Sequence, residues 1–205
     1  MMRLLTIGMF AVLFAASGFA QDALPPDQLV KGVTQDVILI VKQDKDIRAG
    51  NTTKTIALVE EKVLPHFNFN RMTALAMGPG WRKATQEQRQ LIVDQFRTLL
   101  VRTYSTALSS YRDQSIDFKP LRVQPADTDT VVRSVVKQSG AEPVSIDYSM
   151  EKSDTGWKIY DVVVGGVSLV TTYRDTFATE VRAGGIEGLI KSLSEKNRQL
   201  AQKSG

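Results

Sequence analysis

The sequence of 205 residues has no cysteine, only one histidine and a formal net charge of only +4. Without cysteine the chain forms no disulfide and offers no thiol nucleophile, so packing alone must hold its fold. The single histidine, His66, follows Leu64-Pro65 and precedes Phe67, a setting that favours a packed or turn histidine over a catalytic base. The small positive charge does not argue for nucleic acid as a partner, although it permits weak attraction to anionic headgroups.

Motifs for catalysis, metals and nucleotides are absent as well. Ser168 lies in "GGVSL", which lacks the second glycine of the G-x-S-x-G nucleophile elbow. Gly78-Pro79-Gly80 and Gly165-Gly166 match no dinucleotide or Walker sequence. Three acidic pairs extend neither to a calcium loop nor to histidine spacing: Asp44 with Asp46, Glu60 with Glu61, and Asp127 with Asp129. We therefore expect no catalytic residue, no metal and no cofactor, and a hydrolase that uses His66 or Ser168 is a weaker alternative.

The first twenty residues, "MMRLLTIGMFAVLFAASGFA", have the layout of a secretory signal peptide. Arg3 precedes an apolar stretch from Leu4 to Ala16, and small residues lead to Ala20. The stretch is shorter than the roughly 20 residues of a spanning helix, so cleavage after Ala20 is predicted. No cysteine follows that point, which argues against a lipid anchor. We expect residues 21–205 to form a single exported domain that does not span a membrane.

Apolar residues recur at helical spacing in the first half of the chain. Residues 85–112 give the clearest pattern, with a Thr85–Gln88 capping box and an expected length of about 42 Å. Shorter helices are predicted from a cap at Asp27 to residue 41, over residues 52–64, and from Asn68 or Asn70 to residue 77.

From Ser115 to Val167 the apolar period changes to two, which predicts about four antiparallel strands. They comprise "SIDFKPLRV" with a break at Pro120, "TDTVVRSVVKQ", a strand from Val144, and a strand that starts at Trp157 after the turn "SDTG". Two C-terminal helices separated by Gly184-Gly185 follow. The predicted fold is therefore α+β.

The segment "YDVVVGGVSLVTTYRDTF" is uncharged from Val162 to Val170 and contains a Gly-Gly pair. It is too short to span a bilayer. The glycines are expected to let the chain leave the sheet and begin a helix. Composition alone leaves two interpretations open: an ordinary core strand, or one wall of a site for an apolar ligand.

Three stretches together resemble the MlaC family, also called the toluene-tolerance auxiliary-component family. They are "VLPHFNFNRM", "ALAMGPGWRKATQEQRQLIVDQFRTLLVRTYSTALSSY" and "YDVVVGGVSLVTTYRDTFATEVRAGGIEGLIKSL". The resemblance covers nearly all of residues 25–195. It implies a curved antiparallel sheet and helices around an apolar cavity, in which acyl chains lie inside and the headgroup stays in water.

The resemblance also implies a function. It is that of a soluble periplasmic phospholipid carrier that maintains outer-membrane lipid asymmetry, with phospholipid as cargo and no cofactor. The partners implied are an outer-membrane lipoprotein–porin complex and an inner-membrane ABC transporter complex. The alternative is an exported, non-enzymatic interaction module with an exposed apolar face.

The candidate lipid-binding residues are apolar or aromatic, and each one also suits ordinary core. They come from the long helix, from two neighbouring strands and from the segment after the Gly-Gly pair: Phe96, Leu100, Tyr104, Leu108, Ile146, Tyr148, Met150, Val162, Val164, Leu169, Val170 and Tyr173.

Overall fold

An antiparallel sheet of five strands separates two groups of helices along the chain in the computed structural model, which describes residues 24–203. The predicted leader, residues 1–20, lies outside the described residues. Each strand pairs with its neighbour in the chain, and the bounds are β1 Ser115–Phe118, β2 Asp129–Lys137, β3 Val144–Ser153, β4 Gly156–Val164 and β5 Val167–Ser168. The α+β prediction is confirmed, with one short strand more than expected.

The strand predicted over residues 115–123 is shorter in the structure and ends at Phe118. Pro120 lacks the amide hydrogen that a ladder needs, so pairing stops near it. The predicted hairpin "SDTG" joins β3 to β4, with Ser153 opposite Gly156. A bulge between Ser149 and Met150 shifts the register of this pair, and a bulge bends its strand and increases the local twist.

The helices have side-chain caps at three of the predicted starts. The Asn51 side chain accepts from the Lys54 amide at 2.9 Å, the Asn68 side chain accepts from the Arg71 amide at 3.0 Å, and Thr85 forms the predicted capping box. The bounds are α1 Pro26–Gln43, α2 Lys45–Arg48, α3 Thr52–Lys62, α4 Phe69–Met77, α5 Gln86–Tyr104, α6 Thr106–Ser109 and α7 Arg174–Lys203, with 3-10 turns at Leu64–His66, Gly78–Lys83 and Thr171–Tyr173.

Two predictions about the helix starts and lengths are wrong. Asp27 lies in the first turn of α1, and Pro25 occupies the cap position. The helix expected over residues 85–112 ends at Tyr104, and the four-residue helix α6 follows Ser105. The local sequence from Thr103 to Ser110 is rich in serine and threonine, whose side chains compete with the helical backbone for hydrogen bonds.

Gly165 and Gly166 form a two-residue hairpin turn, with φ of 57° and 85°. Positive φ at both central residues is what a type I′ turn requires. The chain therefore folds back along β4 as β5 before it leaves the sheet, whereas the sequence predicted a direct exit into a helix. The helical period resumes in the 3-10 turn Thr171–Tyr173 and in α7, which is broken as predicted at Gly185, where φ is 67° and ψ is −167°.

Replacing Gly165 by valine is expected to lower the free energy of unfolding by about 1–2 kcal/mol, because a β-branched L-residue is strained at positive φ. A Cβ at this position would meet no atom within 4 Å, so the cost comes from the backbone alone. Gly165→Asn is the matched control, since asparagine tolerates this conformation, and it should unfold at nearly the wild-type urea concentration. Equal loss in both variants would contradict the turn assignment.

Arg71 connects α4 to three strands of the sheet. Arg71 on α4 pairs with Asp129 of β2 at 2.8 Å and with Glu151 of β3, and its guanidinium lies 3.5 Å from the ring centre of Tyr160 of β4. A planar cation that pairs with two carboxylates and stacks on an aromatic ring has one preferred position. These contacts hold the start of α4, and the residues just before it, against the sheet.

The buried core lies mainly where α4, α5 and α7 pack together. Phe96 is fully buried there, with edge-to-face contacts to Tyr173 and Phe177 at 5.1 Å each. A second cluster joins α1 to the sheet through Val30, Val132 and Met150. No helix within residues 24–203 combines the length and apolar character needed to cross a bilayer.

Candidate functional site

Two apolar cavities adjoin each other between the helices and the sheet. The first, which we name the helix cavity, has a volume of about 210 Å³ and lies between α3, α4, α5, α6 and the last strands. Its lining is almost wholly apolar: Val59, Val63, Leu64, Phe67, Phe69, Met72, Leu100, Val101, Tyr104, Ser105, Leu108, Val162 and Leu169.

The second cavity, which we name the sheet cavity, has a volume of about 260 Å³ and lies between α1 and the face of the sheet. Its lining includes residues of α1, of the segment after α3 and of strands β1, β3 and β4: Leu29, Val30, Val33, Thr34, Val37, Ile38, Val63, His66, Phe67, Leu108, Tyr111, Ile116, Ile146, Tyr148 and Ile159.

Val63, Phe67 and Leu108 line both cavities, and we call these three residues the junction. They come from the end of α3, from the residue after the first 3-10 turn, and from α6. A change at any of the three alters both cavities at once.

Backbone and aromatic contacts hold Phe67 at the junction. The next amide, that of Asn68, donates to the Ile159 carbonyl of β4 at 2.8 Å, and Lys158 Nζ donates to the Pro65 carbonyl at 2.8 Å. The rings of Phe67 and Phe69 stack with centroids 5.9 Å apart. The segment "LPHF" therefore lies along β4 near Ile159, where β5 does not pair with the strand. This position places Phe67 between the two cavities.

His66 lines the sheet cavity among aliphatic residues. Burial lowers its pKa below the usual value for histidine, and the positive charge of Lys158 lowers it further. The imidazole is therefore neutral at neutral pH, which suits the wall of an apolar cavity.

The hydroxyl of Ser168 is fully engaged in hydrogen bonds that hold the backbone after β5. Its hydroxyl donates to the buried carboxylate of Asp161 at 2.6 Å and accepts from the amides of Val170 and Thr171 at 3.2 and 2.9 Å. The hydroxyl proton is directed at a carboxylate and the lone pairs at the backbone that begins the 3-10 turn. This arrangement stabilises the exit from the sheet. It gives no support to a serine nucleophile, because two backbone amides already occupy the oxygen lone pairs that would have to attack a substrate.

Tyr104 marks the side of the helix cavity that faces solvent, since it lines the cavity and is 37% exposed. Burial raises the pKa of the neighbouring Tyr173 to about 12, and the hydrogen bond with Tyr104 contributes to that rise. The Tyr173 phenol is therefore protonated at neutral pH. An apolar cavity with the phenol of Tyr104 at its solvent-facing side is suited to a ligand that has one apolar end and one polar end.

Seven of the twelve predicted site residues line one or both cavities, and five line neither. Those that line the helix cavity are Leu100, Tyr104, Leu108, Val162 and Leu169, and those that line the sheet cavity are Leu108, Ile146 and Tyr148. Five others line neither of these cavities: Phe96, Met150 and Val170 are fully buried in the core, Tyr173 packs against the same core, and Val164 pairs with Ile146 across β3 and β4.

The sequence prediction missed the lining contributed by the part of the chain before α5. Val33 and Val37 of α1 line the sheet cavity, and Val63 and Phe67 belong to the junction. A signal for α1 was present, because its apolar stripe follows helical spacing, but spacing does not tell which part of the sheet the stripe covers. Phe67 also lies in "VLPHFNFNRM", one of the three stretches that carry the resemblance.

A third and larger cavity, of about 310 Å³, is lined by charged residues of α3 and α5, among them Glu60, Asp94, Arg97 and Arg102. Its volume is greater, but side chains of both signs make it a poor place for an apolar ligand. Within residues 24–203 no three histidine or acidic side chains are grouped as a metal ion would require. The two adjoining apolar cavities are therefore the candidate site.

Comparison with known proteins gives consistent matches. The family model described as "MlaC protein" matches residues 31–195. The chain is 25% identical to the toluene tolerance protein ttg2D of Pseudomonas putida over 186 residues, which are 90% of this chain and 86% of that protein. It is 24% identical to the intermembrane phospholipid transport system binding protein MlaC of Haemophilus influenzae over 162 residues, which are 78% of this chain and 72% of that protein.

A solved structure extends the similarity to the fold. The phospholipid-binding protein from Ralstonia solanacearum, in complex with a phospholipid, superposes with a TM-score of 0.80 and is 45% identical. The match covers 87% of this chain and 99% of that one.

Proposed function

The chain belongs to the MlaC family, and on this basis we propose that it binds a phospholipid, with the acyl chains in the helix cavity and the sheet cavity and the headgroup in water. The observation that carries the proposal is the pair of adjoining apolar cavities that share the junction residues Val63, Phe67 and Leu108. Each cavity alone is smaller than the roughly 300 Å³ at which small-molecule sites begin, which favours one ligand with two apolar branches.

The physical problem solved by such a protein is the insolubility of its cargo. Exposing acyl chains to water costs about 0.8 kcal/mol per CH₂, so a lipid with about 30 such groups would pay about 24 kcal/mol to cross an aqueous space alone. A cavity that replaces water around those chains removes most of this cost by burial, which is non-directional. Binding and release of this kind need no catalytic residue, metal or cofactor.

The wider role that we propose is that of a carrier. The chain would be exported by its predicted leader, residues 1–20, and would act as a single domain in the periplasm. It would exchange phospholipid with an outer-membrane lipoprotein–porin complex and an inner-membrane ABC transporter complex, and so maintain outer-membrane lipid asymmetry. A passive binder moves lipid only down its chemical potential, so any uphill step belongs to an ATP-driven partner.

The alternative of an interaction module with an exposed apolar face has less support. The exposed large apolar side chains among residues 24–203 lie on different elements, for example Leu39 on α1, Leu91 on α5 and Val144 on β3. Single exposed apolar residues are normal on protein surfaces and do not form a docking face.

The protein is expressed with its predicted leader and purified. The test is extraction of that protein with organic solvent, followed by mass spectrometry of the extract. We expect stoichiometric phospholipid whose headgroups follow the composition of the host membrane, because the two cavities offer apolar contacts to the chains. An unrelated exported protein purified in the same way controls for carried-over membrane. An extract without phospholipid would contradict the proposal, and a strong preference for one headgroup would contradict binding through the chains alone.

A further inference from the structure

Ser105 is the one lining residue of the helix cavity whose buried hydroxyl has no hydrogen-bond partner within residues 24–203. The side chain is 3% exposed. Its backbone is satisfied: the Ser105 amide donates to the Val101 carbonyl at 2.9 Å, and its carbonyl accepts from the Leu108 amide at 3.0 Å. The hydroxyl alone is therefore free, and it lies in the wall of an otherwise apolar cavity.

A buried hydroxyl without a partner is unfavourable, because burial removes its hydrogen bonds to water. Nearby buried hydroxyls have hydrogen-bond partners, as is usual in proteins. Thr55 Oγ1 donates to the Asn51 carbonyl at 2.9 Å and lies 3.2 Å from Ser109 Oγ, one turn beyond Ser105. Alanine would suit the helical backbone at position 105 better and would leave no polar atom unpaired. The serine is therefore explained if a ligand in the cavity supplies its partner.

The position of Ser105 limits what that partner can be. It follows Tyr104, which is 37% exposed and marks the side of the helix cavity that faces solvent. In a phospholipid, the ester carbonyls lie where the apolar chains end and the polar part begins. An ester carbonyl is an uncharged acceptor, whereas a phosphate at a buried apolar wall would pay a large desolvation cost.

We propose that the Ser105 hydroxyl donates a hydrogen bond to an acyl-ester carbonyl of the bound lipid, and that the protein therefore prefers ester-linked to ether-linked phospholipids. This inference rests on the proposed function and adds a specificity-determining residue to it. The hydrogen bond sets how deep the lipid sits, because it holds the start of one chain beside Tyr104. A single neutral hydrogen bond of this kind corresponds to a preference of about three- to tenfold.

The experiment is a competition between two lipids that differ only in the linkage. The purified protein, prepared as for the first test, is stripped of lipid and equilibrated with vesicles that contain equal amounts of diester and diether phosphatidylethanolamine with matched chains. The ratio of the two lipids on the re-isolated protein is then measured by mass spectrometry. We expect the wild type to hold the diester form in about three- to tenfold excess, and Ser105→Ala to hold both in the vesicle ratio. Ser110→Ala, a change of the same kind at an exposed position next to α6, should keep the wild-type ratio.

The outcomes separate this inference from the proposed function. Bound lipid in the vesicle ratio on the wild type would overturn the hydrogen bond and leave phospholipid binding intact. The same is true if Ser105→Ala keeps the wild-type excess of diester lipid. The wild-type measurement needs no mutant, so poor folding of a variant cannot hide the result. Absence of either lipid on the wild type would overturn the proposed function, and this inference with it.

Discussion

Replacing Leu108 by tryptophan is expected to remove most of the lipid from the protein. Leu108 is one of the three residues that line both cavities, so a larger side chain there takes space from each. If the indole displaces about four methylene groups of the cargo, about 3 kcal/mol of burial is lost, which is about a hundredfold in affinity. The strain of overpacking adds to this loss. Phospholipid per mole of purified protein, from solvent extraction, is the measurement.

The control for this variant lies next to it in the same short helix. Ala107 is exposed on α6, so Ala107→Trp adds the same indole to α6 without entering either cavity. It should carry wild-type amounts of lipid. Circular dichroism and urea unfolding would show whether both variants are folded. A folded Leu108→Trp protein with full lipid content would show that the chains do not pass the junction, and the proposed site would be wrong.

Local chemistry explains which parts of the fold the sequence predicted well. The Thr85–Gln88 capping box, the "SDTG" hairpin and the break at Gly184-Gly185 all depend on residues within a few positions of one another. Such features can be recognised from spacing, because the interacting groups are close in the chain. The alternation from Val144 to Glu151 likewise predicted a strand of the antiparallel sheet.

Long-range packing explains what the sequence did not predict. Phe96 and Leu100 are one helical turn apart on the same stripe of α5 and belong to the same buried core, yet only Leu100 also lines the helix cavity. Periodicity identifies the buried face of a helix, but it does not tell where the opposing elements leave a space. The contribution of α1 to the sheet cavity was missed for the same reason, because it depends on how α1 crosses the sheet.

The turn after β4 was predicted only in part. Two adjacent glycines indicated a change of direction, and the structure has one at Gly165-Gly166. The reversal into β5 was not predicted, because two residues of pairing leave no periodic signal. The hydrogen bonds of Ser168 to Asp161 and to the following backbone amides stabilise this exit, and they connect positions that only the folded sheet brings together.

Replacing Phe96 by alanine is expected to cause the largest loss of stability, about 3–5 kcal/mol in the free energy of unfolding. Phe96 is fully buried, and each of its edge-to-face contacts with Tyr173 and Phe177 adds about 0.5–1.5 kcal/mol to the burial of the ring. Because domains are stable by only about 5–15 kcal/mol, this variant would lose much of its stability. The measurement is urea unfolding of lipid-free protein, since bound lipid would add its own stabilisation.

The same position tests whether Phe96 belongs to the lipid site, as the sequence predicted, or only to the core. In the structure Phe96 lines neither cavity, so the milder variant Phe96→Leu should lose stability and keep its lipid content. Leu91→Ala on the same helix is the control, because Leu91 is 48% exposed and its loss should change stability by no more than about 0.5 kcal/mol. A Phe96→Leu protein with wild-type stability and little lipid would instead place Phe96 against the cargo. Loss of stability with unchanged lipid content would show that Phe96 holds α5 against α7 and does not belong to the lipid site.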